Sequence, residues 1–514
     1  MRSLTLSIVA GFVITCLSAS AQTDSAMLTD SAKVREVENN LVGATQAEGE
    51  VPGTIKDRMA HYRLKGLSVA IIHNYKIEWA KGYGWADEGS RIPVTDQTLF
   101  QAASISKSLN AVGVLKLVQD KRLDLYSDIN NYLYVKTPKT VDAAKKSGNT
   151  FILMNGDNLS WSFRYDSLSK GKKISMANLL SHTAGLNVHG FGGYERGADL
   201  PTLPQILDGK APANSRPVRS MYEPGRKFEY SGGGITISQL IVTDITNQPY
   251  DRYMYDNVLK PMGMINSTYS SFPPREKRAL FATGYNTSAR EIDGKYHIYP
   301  EQAAAGLWTN PTDLSKYIIE TQLALDGKSA KVLNQQTTKL RLTPYIDKQA
   351  ALGVFILDMN GTKYFTHSGS NEGFRSEYYG SMEDGNGVVV MVNSDNGDII
   401  PEIVNSVAKV YKFDGLYRSK IVKRVSTTAD EKTLQSYTGK YALNPEFILT
   451  VTKEGNKLYG QATGQERYLL YPESETKFLL KIGDIELEFM KDDTGIVNKV
   501  VIYQGGPREA IRMK

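Results

Sequence analysis

From Thr433 to Lys514 the chain shows only short strand-like runs separated by turns. The runs are Gly439–Tyr441, Phe447–Lys453, Lys457–Ala462, Tyr468–Tyr471, Lys477–Ile482, Ile485–Met490, Lys499–Tyr503 and Glu509–Met513. A strand must pair on its edges and bury one face, so eight short strands close together predict a small up-and-down barrel or sandwich. The polar stretch 421–430 reads as a linker, with the barrel at 431–514. At 514 residues the chain is too long for one ordinary domain, so a larger unit precedes the barrel.

The N-terminus reads as an export signal over residues 1–21: Arg2, an apolar core from Leu4 to Leu17, then Ala19-Ser20-Ala21. The apolar run is too short for a membrane span, so no integral span is expected after cleavage. Cys16 is the only cysteine and lies inside this signal, so the mature chain is expected to hold no disulfide and no thiolate nucleophile. Thr15 before Cys16 disfavours a lipoprotein box and lipid anchoring; the expected location is periplasmic or secreted. Net charge is +6 with no long basic run, which argues against nucleic-acid binding. Residues 22–50 read as a polar arm, and 51–420 as the main domain. Within it, Leu67–His73 and Lys76–Tyr83 flank Asn74-Tyr75 as a β-hairpin. The Gly- and Lys-bearing stretch 136–172 reads as an insertion.

One stretch of this domain carries chemistry. Phe100-Gln-Ala-Ala-Ser104-Ile-Ser-Lys107 runs into an apolar helix to Val118. Positions three apart share a helix face, so Lys107 can touch Ser104 if the helix begins near Ser104. The free N–H groups at a helix start suit an oxyanion. The same spacing recurs at Ser167/Lys170, Ser169/Lys172, Ser406/Lys409 and Ser474/Lys477, so spacing alone does not select Ser104. A serine hydrolase also needs a base and oxyanion donors. No Gly-x-Ser-x-Gly elbow is present. Lys107 can serve as base if its pKa is depressed, and Tyr230, in the turn before a helix, can share the cleft.

Ser104-Ile-Ser-Lys107, Tyr230-Ser-Gly232 and His367-Ser-Gly369, in that order, resemble the serine β-lactamase/penicillin-binding-protein superfamily. The resemblance is to its class C-like branch of exported D-peptidases, esterases and β-lactamase-related hydrolases. Leu179-Leu-Ser-His182-Thr-Ala-Gly-Leu186, Leu259-Lys-Pro-Met-Gly-Met264 and Ala305-Gly306-Leu307 fit the same branch, over about residues 50–415. The resemblance implies an α/β fold, an antiparallel sheet flanked by helices with a helical subdomain. It implies that Ser104 is the nucleophile, Lys107 its proton acceptor and Tyr230 the shuttle to the leaving group. His367 would replace the usual third-motif lysine. The N–H groups of Ser104 and Ser370 would form the oxyanion hole, with Gly369 on the strand at the cleft edge. The C-terminal barrel resembles the lipocalin-like domain of some peptidases of this branch, through which oligomers are possible.

Two departures bear on substrate. Gly232 stands where an asparagine is frequent, and the literal Tyr255-Asp-Asn257 reads as structural. His367 is expected to be charged part of the time near neutral pH, with Arg375 either sharing a substrate carboxylate or standing as a plain strand-end residue. Ser231 and Ser106 could bond in the cleft or fill it. His182 reads as a structural or buried histidine, and His61, His73, His189 and His297 lack ligand spacing, so no metal or cofactor is expected. The expected reaction is hydrolysis of an amide or ester in a small-molecule or peptide substrate through an acyl-serine. A carboxylesterase, a weak β-lactamase and a non-catalytic penicillin-binding sensor are the alternatives.

Overall fold

The apolar run Gly387–Val392 is buried on both of its faces. Successive strand side chains point to opposite sides. Val388, Val390 and Val392 enter one core with Leu67, Val69 and Ile71. Val389 and Met391 enter another with Leu109, Val112 and Leu115. A strand apolar on both faces belongs mid-sheet with helices on either side.

The computed structural model has that arrangement. It describes residues 32–47, 51–133, 161–272, 275–422, 430–444, 447–463, 467–480, 485–503 and 506–513. The expected export signal, most of the expected insertion and most of the expected linker lie outside the described residues. Seven strands form the main sheet: β1 (Gly66–His73), β2 (Lys76–Asp87), β3 (Ile92–Pro93), β4 (Phe355–Met359), β5 (Thr362–Asn371), β6 (Phe374–Ser381) and β7 (Gly387–Val392). Their order is β3-β2-β1-β7-β6-β5-β4, each pair antiparallel. Asn74 and Tyr75 both have positive φ, +51° and +63°, which matches the right-handed twist of the β1–β2 hairpin.

Helix α1 (Ser106–Gln119) is buried continuously from Ser106 to Leu115. A helix enclosed on all sides belongs in the interior. It shares the larger core with residues of α2 (Gly232–Thr246) and α3 (Pro311–Leu325). The other face of the sheet is covered by α4 (Ile399–Tyr411) through Ile399, Ile403 and Val407. The α3 cap is Asn310, whose side chain accepts from Asp313 N–H. Pro311 at the first helical position makes Asn310 the natural cap. Trp161 and Phe163, at the described end of the expected insertion, are buried in the larger core.

All eight expected C-terminal strands form, as β8 (Gly439–Asn444), β9 (Phe447–Glu454), β10 (Lys457–Ala462), β11 (Arg467–Pro472), β12 (Lys477–Leu480), β13 (Ile485–Lys491), β14 (Val497–Tyr503) and β15 (Pro507–Arg512). They close into a barrel in sequence order. A short helix, α5 (Glu431–Ser436), precedes them and corrects the all-strand reading from Thr433 onward. Its Leu434 joins Tyr437, Phe478 and Phe489 in the barrel core.

Candidate active site

Ser104 is held by the chain on either side of it. Phe100–Gln101 pairs with Trp308–Thr309, and Ala102 N–H donates to the Leu307 carbonyl at 2.8 Å. Ala103 then takes a φ of +48°, a region that residues with a β-carbon avoid. A single 3-10 turn, Ala103–Ile105, leads into α1. Ser104 therefore sits half-buried in the tight turn just before the α-helix. Ser106 is fully buried, and its Oγ accepts from Leu307 N–H at 2.9 Å, so it braces the turn.

Three residues on, Lys107 reaches back. Its Nζ donates to Ser104 Oγ at 2.9 Å and to the Ala304 carbonyl at 2.7 Å. The lysine is 2% exposed. Burial disfavours the ammonium form and brings its pKa down to about 7. Nζ also stands 5.0 Å from the Tyr230 ring centroid. Burial pushes the Tyr230 phenol up to about 12, against a hydrogen bond with Ser104 that pulls the other way. Near neutral pH the lysine is thus partly free amine, while Tyr230 keeps its proton.

Tyr230 immediately precedes α2, whose N-cap is Ser231. The Ser231 Oγ accepts from Gly234 N–H at 2.9 Å and donates to the Asn187 carbonyl at 2.6 Å. Those bonds occupy the hydroxyl weighed above for substrate binding. Gly232 has little room for a side chain. A β-carbon there would stand 3.0 Å from the His189 carbonyl oxygen and 3.1 Å from the Phe191 ring. In the tail of the next helix, Asn257 Nδ2 donates to the Tyr253 carbonyl, so Tyr255-Asp-Asn257 is engaged locally.

His367 lies on β5 with its ring centroid 6.3 Å from that of Tyr230. Its Nδ1 is 2.7 Å from the Ser368 carbonyl, which assigns the proton of the neutral ring to Nδ1. Burial and the nearby Lys107 push its pKa down to about 3. His367 is therefore a neutral imidazole throughout the physiological range, which corrects the expectation of a part-time cation. Gly369 and Ser370 follow on the same strand, Gly369 buried against Ala102 and Ser370 exposed. Arg375 forms an ion pair with Asp395 at 3.0 Å and donates to the Asn371 and Phe374 carbonyls at 2.7 and 2.8 Å. That engagement agrees with the strand-end reading and not with a shared substrate carboxylate. The competing Ser406 is buried on α4 and donates to the Val37 carbonyl at 2.7 Å.

Ser104, Lys107, Tyr230 and His367 thus come together, while Ser231 and Arg375 are held by other partners. The rings of His182, read from the sequence as structural or buried, and of His189, read as lacking ligand spacing, stand 4.2 and 4.8 Å from that of Tyr230. For His182 the sequence signal was its place in Leu179-Leu-Ser-His182-Thr-Ala-Gly-Leu186.

The Beta-lactamase family model matches residues 51–402, and a domain of unknown function (DUF3471) matches 423–512. Protein flp of Staphylococcus aureus (strain N315) is 22% identical over 363 residues, 70% of this chain and 65% of its own length. A Beta-lactamase of Pseudomonas fluorescens is 25% identical over 281 residues, 54% of this chain and 64% of its own length. The chain thus spans a little under two thirds of the length of these curated relatives. Among solved structures, the octameric penicillin-binding protein homologue from Pyrococcus abyssi superposes with a TM-score of 0.57 at 21% identity, covering 89% of this chain and 98% of that one. SurE superposes at 0.52 and 18% identity, covering 96% of this chain and 100% of that one. At these identities the two structures bear on fold alone.

Proposed function

The chain belongs to the Beta-lactamase family, generally serine hydrolases, and from that premise we propose that it is an exported hydrolase of small peptide-like amides or esters. The observation that carries the reading is the 2.9 Å contact between Lys107 Nζ and Ser104 Oγ, with burial lowering the lysine. Neutral Lys107 takes the hydroxyl proton as Ser104 Oγ bonds to the substrate carbonyl carbon. The carbonyl π pair moves onto oxygen, where the N–H groups of Ser104 and Ser370 receive the oxyanion. Tyr230, a phenol at neutral pH, hands its proton to the leaving nitrogen or oxygen as that bond breaks, and regains one from Lys107. Water then attacks the acyl-serine, returning the hydroxyl and releasing the acid.

Among the described residues, a neutral His367 and an engaged Arg375 leave the site without a fixed cation of the kind that grips a carboxylate, and Gly232 offers no amide side chain. These features favour peptidase or esterase chemistry over an efficient β-lactamase. Export rests on the N-terminal sequence; among the described residues no helix is long and apolar enough to cross a membrane. The octameric state named for the Pyrococcus abyssi protein makes assembly through the barrel a reading that light scattering tests.

A fluorophosphonate probe tests the acyl-serine reading. Wild-type protein labels, and Ser104→Ala does not. Label persisting in a folded Ser104→Ala protein, or absent from folded wild type, overturns it.

A further inference from the structure

His182 has a φ of +57°, in the region favourable to glycine. That backbone turn directs its carbonyl and its imidazole at one neighbouring segment. The carbonyl accepts from Glu229 N–H at 2.7 Å. Nδ1 accepts from Ser231 N–H at 3.1 Å. Between those two amides lies Tyr230, and the His182 ring is 4.2 Å from the Tyr230 ring at an interplanar angle of 30°. A single residue thus holds the backbone on both sides of the phenol and one side of the phenol itself.

The side chain that does this needs a ring to stack and an acceptor to take the Ser231 amide. Among common side chains histidine supplies both. Because Nδ1 accepts, the proton of the neutral ring is on Nε2. Nε2 is buried and has no hydrogen-bond partner among the described residues. A buried N–H without an acceptor is unfavourable, so a residue chosen for packing alone would be phenylalanine or leucine. Burial first, then the charge of Lys107, keeps the ring neutral, the state in which Nδ1 has a lone pair to offer.

We propose that His182 is the positioning residue for Tyr230, aiming its hydroxyl so that the phenol proton reaches the leaving group. This rests on the role assigned to Tyr230 above. The leaving group decides how much that proton matters. A p-nitrophenolate departs without one, whereas an amine cannot. Loss of positioning therefore penalises amides more than nitrophenyl esters, whereas general damage to the site lowers both together.

The experiment measures kcat/KM for two substrates sharing one acyl group, a p-nitrophenyl ester and an alkyl amide, in wild type, Tyr230→Phe, His182→Leu and His182→Asn. Fluorophosphonate labelling reports folded Ser104 in each. Tyr230→Phe and His182→Leu are expected to lower the amide-to-ester ratio of kcat/KM about tenfold or more. His182→Asn, whose side chain keeps an acceptor and tolerates positive φ, is expected to recover part of the ratio. If His182→Leu does not fold, His182→Phe is read in its place, since it keeps the stack and loses the acceptor. A selective Tyr230→Phe beside an unselective His182 variant overturns the positioning role alone. An unselective Tyr230→Phe overturns the assignment of Tyr230 and the positioning role with it.

Discussion

The main chain of Gly369 lies so close to that of Ala102 that a β-carbon on Gly369 would fall inside the contact radius of the Ala102 carbonyl oxygen. Ala102 is two residues before Ser104, and Ser376 Oγ, which donates to the same carbonyl at 3.2 Å, would stand only 2.5 Å from that β-carbon. Gly369→Ala must therefore push the β5 edge away from the nucleophile turn. Overpacking of this kind costs about 1–3 kcal/mol. The expected outcome is a lowered Tm together with slower phosphonate labelling. A variant with wild-type Tm and labelling rate would show that β5 does not brace the turn.

The pKa of Lys107 sets the acid limb of activity. Lysine acts as base only when neutral, and burial brings Lys107 down to about 7. On the acid side of that value kcat/KM for an ester is expected to fall about tenfold per pH unit, levelling above it. His367, pushed to about 3, adds no limb between pH 5 and 8. A pH profile with its limb near 10, where an ordinary lysine titrates, would exclude Lys107 as a buried base.

Arg375 is expected to matter for stability and not for binding. It is 28% exposed, its partner Asp395 is 15% exposed, and Asp395 Oδ1 also accepts Gly373 N–H at 2.9 Å. Arg375→Ala should cost about 2 kcal/mol, between the worth of an exposed ion pair and that of hydrogen bonds to a buried charge. KM should shift equally for a substrate ending in a carboxylate and for its amide. A selective rise in KM for the carboxylate would return Arg375 to the site.

These residues also show where the sequence was legible. The eight barrel strands were readable because each is a short local run set off by turns that carry glycine or polar residues. Ser104 could be separated from four other Ser-x-x-Lys pairs only through Tyr230 and His367, which share no local pattern with it. What the sequence left open or missed was long-range or short. Arg375 is decided by Asp395, 20 residues on, and Ser231 by Asn187, 44 residues back. The charge of His367 depends on burial that no local window shows. α5 was missed because it is six residues long in a polar stretch, although Asp430 caps it by accepting Thr433 N–H at 2.7 Å. Asp followed three residues on by Thr was the available signal. His182 is buried, as its segment suggested, but its contact with Tyr230 was not legible because its partners, Glu229 and Ser231, lie almost 50 residues away.

Glu301 carries a consequence for stability against pH. It is fully buried, neither carboxyl oxygen has a hydrogen-bond partner among the described residues, and burial pushes its pKa from 4.5 up to about 8. It stands just before Gln302–Ala305, the short helix whose Ala304 carbonyl holds Lys107. Between about pH 4.5 and 8 the folded protein keeps a proton that the unfolded chain has released. Stability therefore falls as pH rises through that window, by at most about 1.36 kcal/mol per unit from this group. Below pH 4.5 both states are protonated and the cost is absent; above 8 it is complete. Glu301→Gln keeps the shape and removes the titration. Urea unfolding at pH 6 and pH 9 should show wild type losing on the order of 2 kcal/mol more than the variant between the two. Equal losses in both proteins would mean that Glu301 titrates normally in the folded state.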